Sequence, residues 1–149
     1  MIDIFLLDPI KKWAEENYKT FTNNGFGRQF KILDNSCPKE VFTIKKIIVE
    51  KYKLENKQQE PIYKDFCGFI TDGGAIHEHT DANKNGLIHT RFNVMISKPI
   101  EGGIPIQDGK QILVEEGDVW RCDAGLIKHS CTEVKGNKPR IVLSFGFLL

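Results

Sequence analysis

Long apolar runs are missing from this 149-residue chain; the only early one, Ile4 to Leu7, is too short for a signal-peptide core or a membrane span. Cysteine is scarce. The closest two of the four, Cys122 and Cys131, are too far apart for a zinc knuckle or a Cys-x-x-Cys redox pair. With no leader-like segment ahead of them, reduced thiols, a cytoplasmic location and no membrane association are expected. Charge of one sign is also lacking: 21 basic residues stand against 20 acidic ones, a formal net charge of +1. Neither half of the chain is basic, so a nucleic-acid partner is not expected. There is no internal repeat, low-complexity tract or heptad pattern, which excludes a solenoid or a coiled coil.

What remains is an ordinary globular mixture, 40% hydrophobic and 28% charged. The length predicts one domain over residues 1–149, with a helical flank over about 1–60 and a β core over about 62–149. At this size a single core buries roughly 70% of the unfolded chain's surface, so no disulfide is required.

Asp8-Pro9 reads as a helix start, and Ile10, Trp13, Ala14 and Tyr18 follow at helical spacing, predicting a helix over about 9–20. Thr22 to Gly27 reads as a loop. A second helix is expected from about Ser36-Cys37-Pro38, with Val41, Ile44, Ile48 and Tyr52 on one face. Residues 54–61 are polar and read as a linker.

After residue 62 short β-prone runs alternate with turn residues: 66–71, 76–81, 90–97, 111–114, 118–122, 127–134 and 140–148. Many short strands at this spacing predict a mainly β fold of sandwich or barrel type, with two N-terminal helices covering one sheet.

The densest chemical signal is Ile76-His77-Glu78-His79-Thr80-Asp81. On a strand, His77, His79 and Asp81 point to one face, so a histidine and an aspartate two apart can clasp one metal. A distant histidine must complete the set, and His89 and His129 are what remain; His129 lies on a later predicted strand. Two histidines and a carboxylate leave coordination positions open, which suits non-heme Fe(II). Zinc more often takes a fourth protein ligand or a single water. Eleven residues past His129, Arg140 leads an otherwise apolar strand. An inward, unpaired guanidinium is costly, so it calls for an anion, and a dicarboxylate spanning metal and Arg140 would supply one.

His79-x-Asp81, then His129 about fifty residues on, then Arg140, resembles the 2-oxoglutarate/Fe(II)-dependent oxygenases over residues 62–149. The tail from His129 to Arg140 looks like the prolyl-hydroxylase and aspartyl/asparaginyl-hydroxylase branches. The resemblance implies a double-stranded β-helix (a cupin-like jelly roll), with His79, Asp81 and His129 as catalytic iron ligands and Arg140 on the far carboxylate of 2-oxoglutarate. Thr90-Arg91-Phe92-Asn93 is similar to an Arg-x-His of the asparaginyl branch, making Arg91 and Asn93 candidate cosubstrate contacts. Asn93 stands where that branch has histidine.

The implied cofactors are Fe(II), 2-oxoglutarate and O2, with ascorbate as a candidate accessory reductant. The implied reaction hydroxylates a C–H bond and releases succinate and CO2. The implied partner is a peptide or protein side chain, with a small molecule as the alternative substrate.

Three other readings stay open on sequence alone. His77 could replace His79 as a ligand. Gly73 to His79 and Gly117 to His129 look like partial cupin motifs, although Asn83 and Lys84 stand where a cupin glutamate is expected. The chain could also be a metal-free binding module. His89, Trp120, Cys122 and Cys131 read as packing residues, and Tyr63, Trp120 and Ser144 as possible pocket lining.

Overall fold

Alternation along the strands sets the layers. The computed structural model describes residues 1–149. It contains two helices, α1 (Ile4–Asn17) and α2 (Lys39–Lys51). The strands of the N-terminal part are β1 (Thr22–Asn23), β2 (Arg28–Ile32) and β3 (Gln58–Gln59). The rest are β4 (Asp65–Ile70), β5 (Ile76–His79), β6 (His89–Ser97), β7 (Pro105–Gln107), β8 (Lys110–Gln111), β9 (Val119–Cys122), β10 (His129–Cys131) and β11 (Arg140–Leu148). The larger sheet runs β1-β2-β4-β11-β6-β9, with β3 also paired to β11; the smaller runs β5-β10-β7-β8. All pairings are antiparallel. Two facing antiparallel sheets with these crossovers form a jelly roll of the double-stranded β-helix type, as the sequence predicts.

In β11, Ile141, Leu143, Phe145 and Phe147 join a core of nineteen buried residues with Leu7, Ile10 and Ala14 of α1 and Val41, Ile44 and Ile48 of α2. Phe92, Val94 and Ile96 of β6, and Cys67 and Phe69 of β4, add to it. Burial of each large side chain contributes roughly 1.5–3 kcal/mol. The intervening residues Arg140, Val142 and Ser144, with Asn93 and Gly68 from the neighbouring strands, face the other way, into a cavity between the sheets. One face of the larger sheet therefore packs the core and the other lines the cavity. No helix is long and apolar enough to cross a membrane.

The N-terminal part departs from expectation in two places. Helix α1 starts at Ile4 because Asp3, not Asp8, is its cap: the Asp3 carboxylate accepts a hydrogen bond from the Phe5 N–H at 2.9 Å. Pro9 lies inside the helix, past its first turn, so the Phe5 carbonyl lacks its usual N–H partner four residues on. The predicted helical flank also supplies strands, and β2 pairs with β4 from Arg28↔Ile70 to Ile32↔Phe66. Its Arg-Gln-Phe-Lys-Ile sequence alternates, a signal obscured by the Asn- and Gly-rich loop before it. Helix α2 and its buried face lie where predicted. In the smaller sheet, β7 lies outside the β-prone runs of the sequence; Pro105 heads it, a strand position that tolerates a missing N–H.

Candidate metal centre

Three side chains converge where β5 meets β10. His79 and His129 are direct cross-strand partners, with ring centroids 4.3 Å apart. Asp81 follows just beyond β5, its backbone N–H held by the Ala124 carbonyl at 2.8 Å. One Asp81 carboxylate oxygen lies 3.5 Å from His79 Nε2 and the other 3.5 Å from His129 Nε2. The donor atoms of His79, Asp81 and His129 all lie within 4.8 Å of one another.

Backbone carbonyls aim both rings. His79 Nδ1 donates to the His77 carbonyl at 2.7 Å and His129 Nδ1 to the Ile127 carbonyl at 2.9 Å. A carbonyl can only accept, so each Nδ1 carries a proton and each Nε2 is directed at the shared space. Burial pushes the Asp81 carboxyl up, but the hydrogen bond from His129 and the charges of His129 and His79 outweigh it, holding Asp81 below its ordinary value. His129 is the reverse case: burial disfavours its charge, yet hydrogen bonds to Asp81 and Cys122 raise it to about 10. Two imidazole nitrogens and one carboxylate on one side of a shared point fit a facial metal site with open positions.

His77 does not share the ligand face. Between the pairs His129↔His79 and Cys131↔Ile76, β5 uses one more residue than β10. This bulge breaks the alternation assumed from the sequence. Ile76 and His79 line the cavity, while His77 is exposed and meets the Phe26 ring edge-on at 5.7 Å.

The cavity holds about 320 Å³. Arg140 lines it and is 6% exposed; its Nε donates to the Gly103 carbonyl at 2.8 Å, and no carboxylate pairs with it. Burial and the nearby charge of Arg28 both push the guanidinium down, with Cys131 acting against them. Gly103 is required here. Its φ is +65° and an added Cβ would meet Pro99 at 2.7 Å and Arg140 Cδ at 3.0 Å.

Arg91 and Asn93 line the same cavity but differ in what they have left to offer. Arg91 NH2 pairs with Glu60 at 2.9 Å, its Nε donates to His89 Nε2 at 3.0 Å and its NH1 to the Lys64 carbonyl at 2.8 Å. Gly146 leaves room for it, since a Cβ there would lie 2.7 Å from the guanidinium. Asn93 has no side-chain partner among the protein's hydrogen bonds, so its amide is free toward the cavity. His89 is buried and serves as an acceptor for Arg91, a packing role as expected.

Sequence reasoning missed Glu60 and Asn83. Glu60, in the predicted linker, is 2% exposed and also accepts the backbone N–H groups of Ile62 and Tyr63. Asn83 accepts from the His89 N–H at 3.0 Å and donates to the Gly125 carbonyl at 3.1 Å, tying the segment after Asp81 to the one before His129. Neither has a clear local signal, because Arg91 for Glu60 and Gly125 for Asn83 are distant in sequence.

No family model matches the chain, and no curated protein does. Solved structures are similar in fold. The chain matches a Pseudomonas putida prolyl-4-hydroxylase at 12% identity and a TM-score of 0.70, covering 99% of this chain and 87% of that one. It matches a viral collagen prolyl hydroxylase from Paramecium bursaria Chlorella virus-1, solved as a 2-oxoglutarate complex, at 12% and 0.71, covering 99% and 91%. It matches HygX from Streptomyces hygroscopicus, solved with nickel and 2-oxoglutarate, at 10% and 0.68, covering 99% and 81%. At these identities the shared property is the double-stranded β-helix fold.

Proposed function

We propose that this chain is a cytoplasmic Fe(II)- and 2-oxoglutarate-dependent oxygenase that hydroxylates a C–H bond of a peptide or protein side chain. In that reaction 2-oxoglutarate, O2 and R–H become succinate, CO2 and R–OH. One observation carries the reading. A three-donor facial set and a buried arginine with no carboxylate partner open into the same cavity. That pairing suits a metal-chelating dicarboxylate whose far end needs a guanidinium. Metal and 2-oxoglutarate in the HygX structure, on the same fold, are consistent with it.

His79, Asp81 and His129 would hold the iron, which when bound supplies the O2-dependent oxidising chemistry. The chain's own residues do the rest. The His77 and Ile127 carbonyls fix the two imidazoles with Nε2 forward. Arg140 orients the cosubstrate through its distal carboxylate, and Asn93 offers the amide beside it. Arg91 is proposed to shape the floor of the pocket through its pair with Glu60. Ile70, Val142 and Ile76 keep water from the reacting centre. A cupin centre with a fourth protein ligand is not built here, because Asn83 is turned to Gly125 and His89.

The test is anaerobic Fe(II) titration with and without 2-oxoglutarate, following the weak visible absorption band of the chelate. The band is expected in wild type and lost in His79→Ala, Asp81→Ala and Arg140→Ala. A wild type that binds metal but never shows the band overturns the reading.

A further inference from the structure

Two guanidinium groups, not one, face the cavity without an acidic partner. Arg28 on β2 and Arg140 on β11 both lie opposite Ile70, on either side of β4. Two strand spacings put their Cα atoms about 10 Å apart. Arg140 is buried, whereas Arg28 is half-buried, one strand in from the edge strand β1 and next to the loop of exposed Phe26. Arg28 makes no ion pair and no side-chain hydrogen bond. Its charge nonetheless reaches Arg140.

Charge accounting separates the two roles. Asp81 is the only acidic side chain lining the cavity, and Arg91 is neutralised by Glu60. On the oxygenase reading, an iron dication, Asp81, Arg140 and a 2-oxoglutarate dianion cancel. Arg28 is left as one uncompensated positive charge inside a partly desolvated site, where such a charge attracts an anion more strongly than it would in water.

We propose that Arg28 is a specificity-determining residue that binds a carboxylate on the substrate, so that the preferred substrate is acidic. This rests on the oxygenase reading for the identity of the cosubstrate. The carboxylate can belong to an acidic side chain in a peptide or to a free small acid, and planar bidentate pairing by arginine serves both.

The test uses the full chain loaded with Ni(II) and 2-oxoglutarate, so that nothing turns over, and reads binding by calorimetry. The probes are a capped glycine–glutamate–glycine peptide, its glutamine isostere, its lysine counterpart and free N-acetylglutamate. Wild type is expected to bind the glutamate peptide or N-acetylglutamate at least about tenfold more tightly than the glutamine peptide. Which of the two binds better distinguishes the peptide source from the free acid. Arg28→Met is expected to abolish the preference, and Arg28→Lys to retain part of it.

Equal or absent binding of the glutamate and glutamine probes overturns the proposal, as does a preference that survives in Arg28→Met. A tenfold or larger fall in 2-oxoglutarate affinity in Arg28→Met also overturns it, since Arg28 would then serve the cosubstrate. Failure of the wild type to bind nickel with 2-oxoglutarate strikes the oxygenase reading instead. The acidic-probe comparison, repeated on the metal-free chain, then judges Arg28 separately.

Discussion

The Glu60 carboxylate meets the Arg91 guanidinium at 2.9 Å, with the two side chains only 3% and 6% exposed. Removing one partner strands a buried charge. Glu60→Ala is therefore expected to cost about 3–5 kcal/mol. A double change of Glu60 and Arg91 to methionine should recover most of that loss, because a buried ion pair is worth little more than well-packed apolar side chains. Urea denaturation of the two single variants and the double variant checks this; additive losses would show that the pair is not coupled.

Arg140→Met separates stability from binding. Without cosubstrate, the buried unpaired guanidinium opposes folding, so the metal-free variant should match or exceed wild type in unfolding free energy. Its 2-oxoglutarate affinity should fall roughly a hundredfold, the scale of a lost charge-assisted contact. Thermal unfolding with and without 2-oxoglutarate reads both effects: the ligand should raise the Tm of wild type and leave the variant unmoved.

His129 gives the metal-free protein an unusual pH response. Burial disfavours its charge, but Asp81 and Cys122 raise it from 6.5 to about 10. A raised value adds stability that is fully present below pH 6.5 and is lost as pH climbs through about 10. Metal must displace this proton, so loading at neutral pH should release about one proton per ion. A pH indicator in weak buffer measures it, and His129→Ala should abolish the release.

Glu116 produces the opposite slope. Burial raises its carboxyl, but Lys11 at 2.7 Å, the Lys98 N–H at 2.9 Å and Lys138 at 2.9 Å outweigh this and hold it at about 2. The stability it contributes is present above its ordinary 4.5 and is lost as pH falls toward about 2. Glu116→Gln should therefore be less stable than wild type at neutral pH. The gap should close by about pH 2, measured by denaturation at a series of pH values.

The core strands and the grouping of His79 with Asp81 were legible because both follow local patterns. β-prone runs bounded by turn residues placed β4, β6 and β11, and His79-x-Asp81 with a distant histidine picked out the three side chains that the fold brings together. The bulge in β5 was not legible: an extra residue opposite β10 leaves no mark in the sequence, and it is what turns His77 away. Nor was Glu60, whose polar neighbours hide a carboxylate that is buried only because Arg91 waits 31 positions later. The true start of α1 was obscured because Asp8-Pro9 imitates a cap, while the real one is Asp3.

The alternation in β11 has a further consequence, for how this protein can change by mutation. Arg140, Val142 and Ser144 line the cavity while Ile141, Leu143, Phe145 and Phe147 pack in the core, so a point substitution can retune one without touching the other. A deletion of a single codon there cannot: every side chain beyond the lesion would swap sides, trading pocket for core. Variation along this strand should therefore accumulate as substitutions, with length changes confined to the turns on either side.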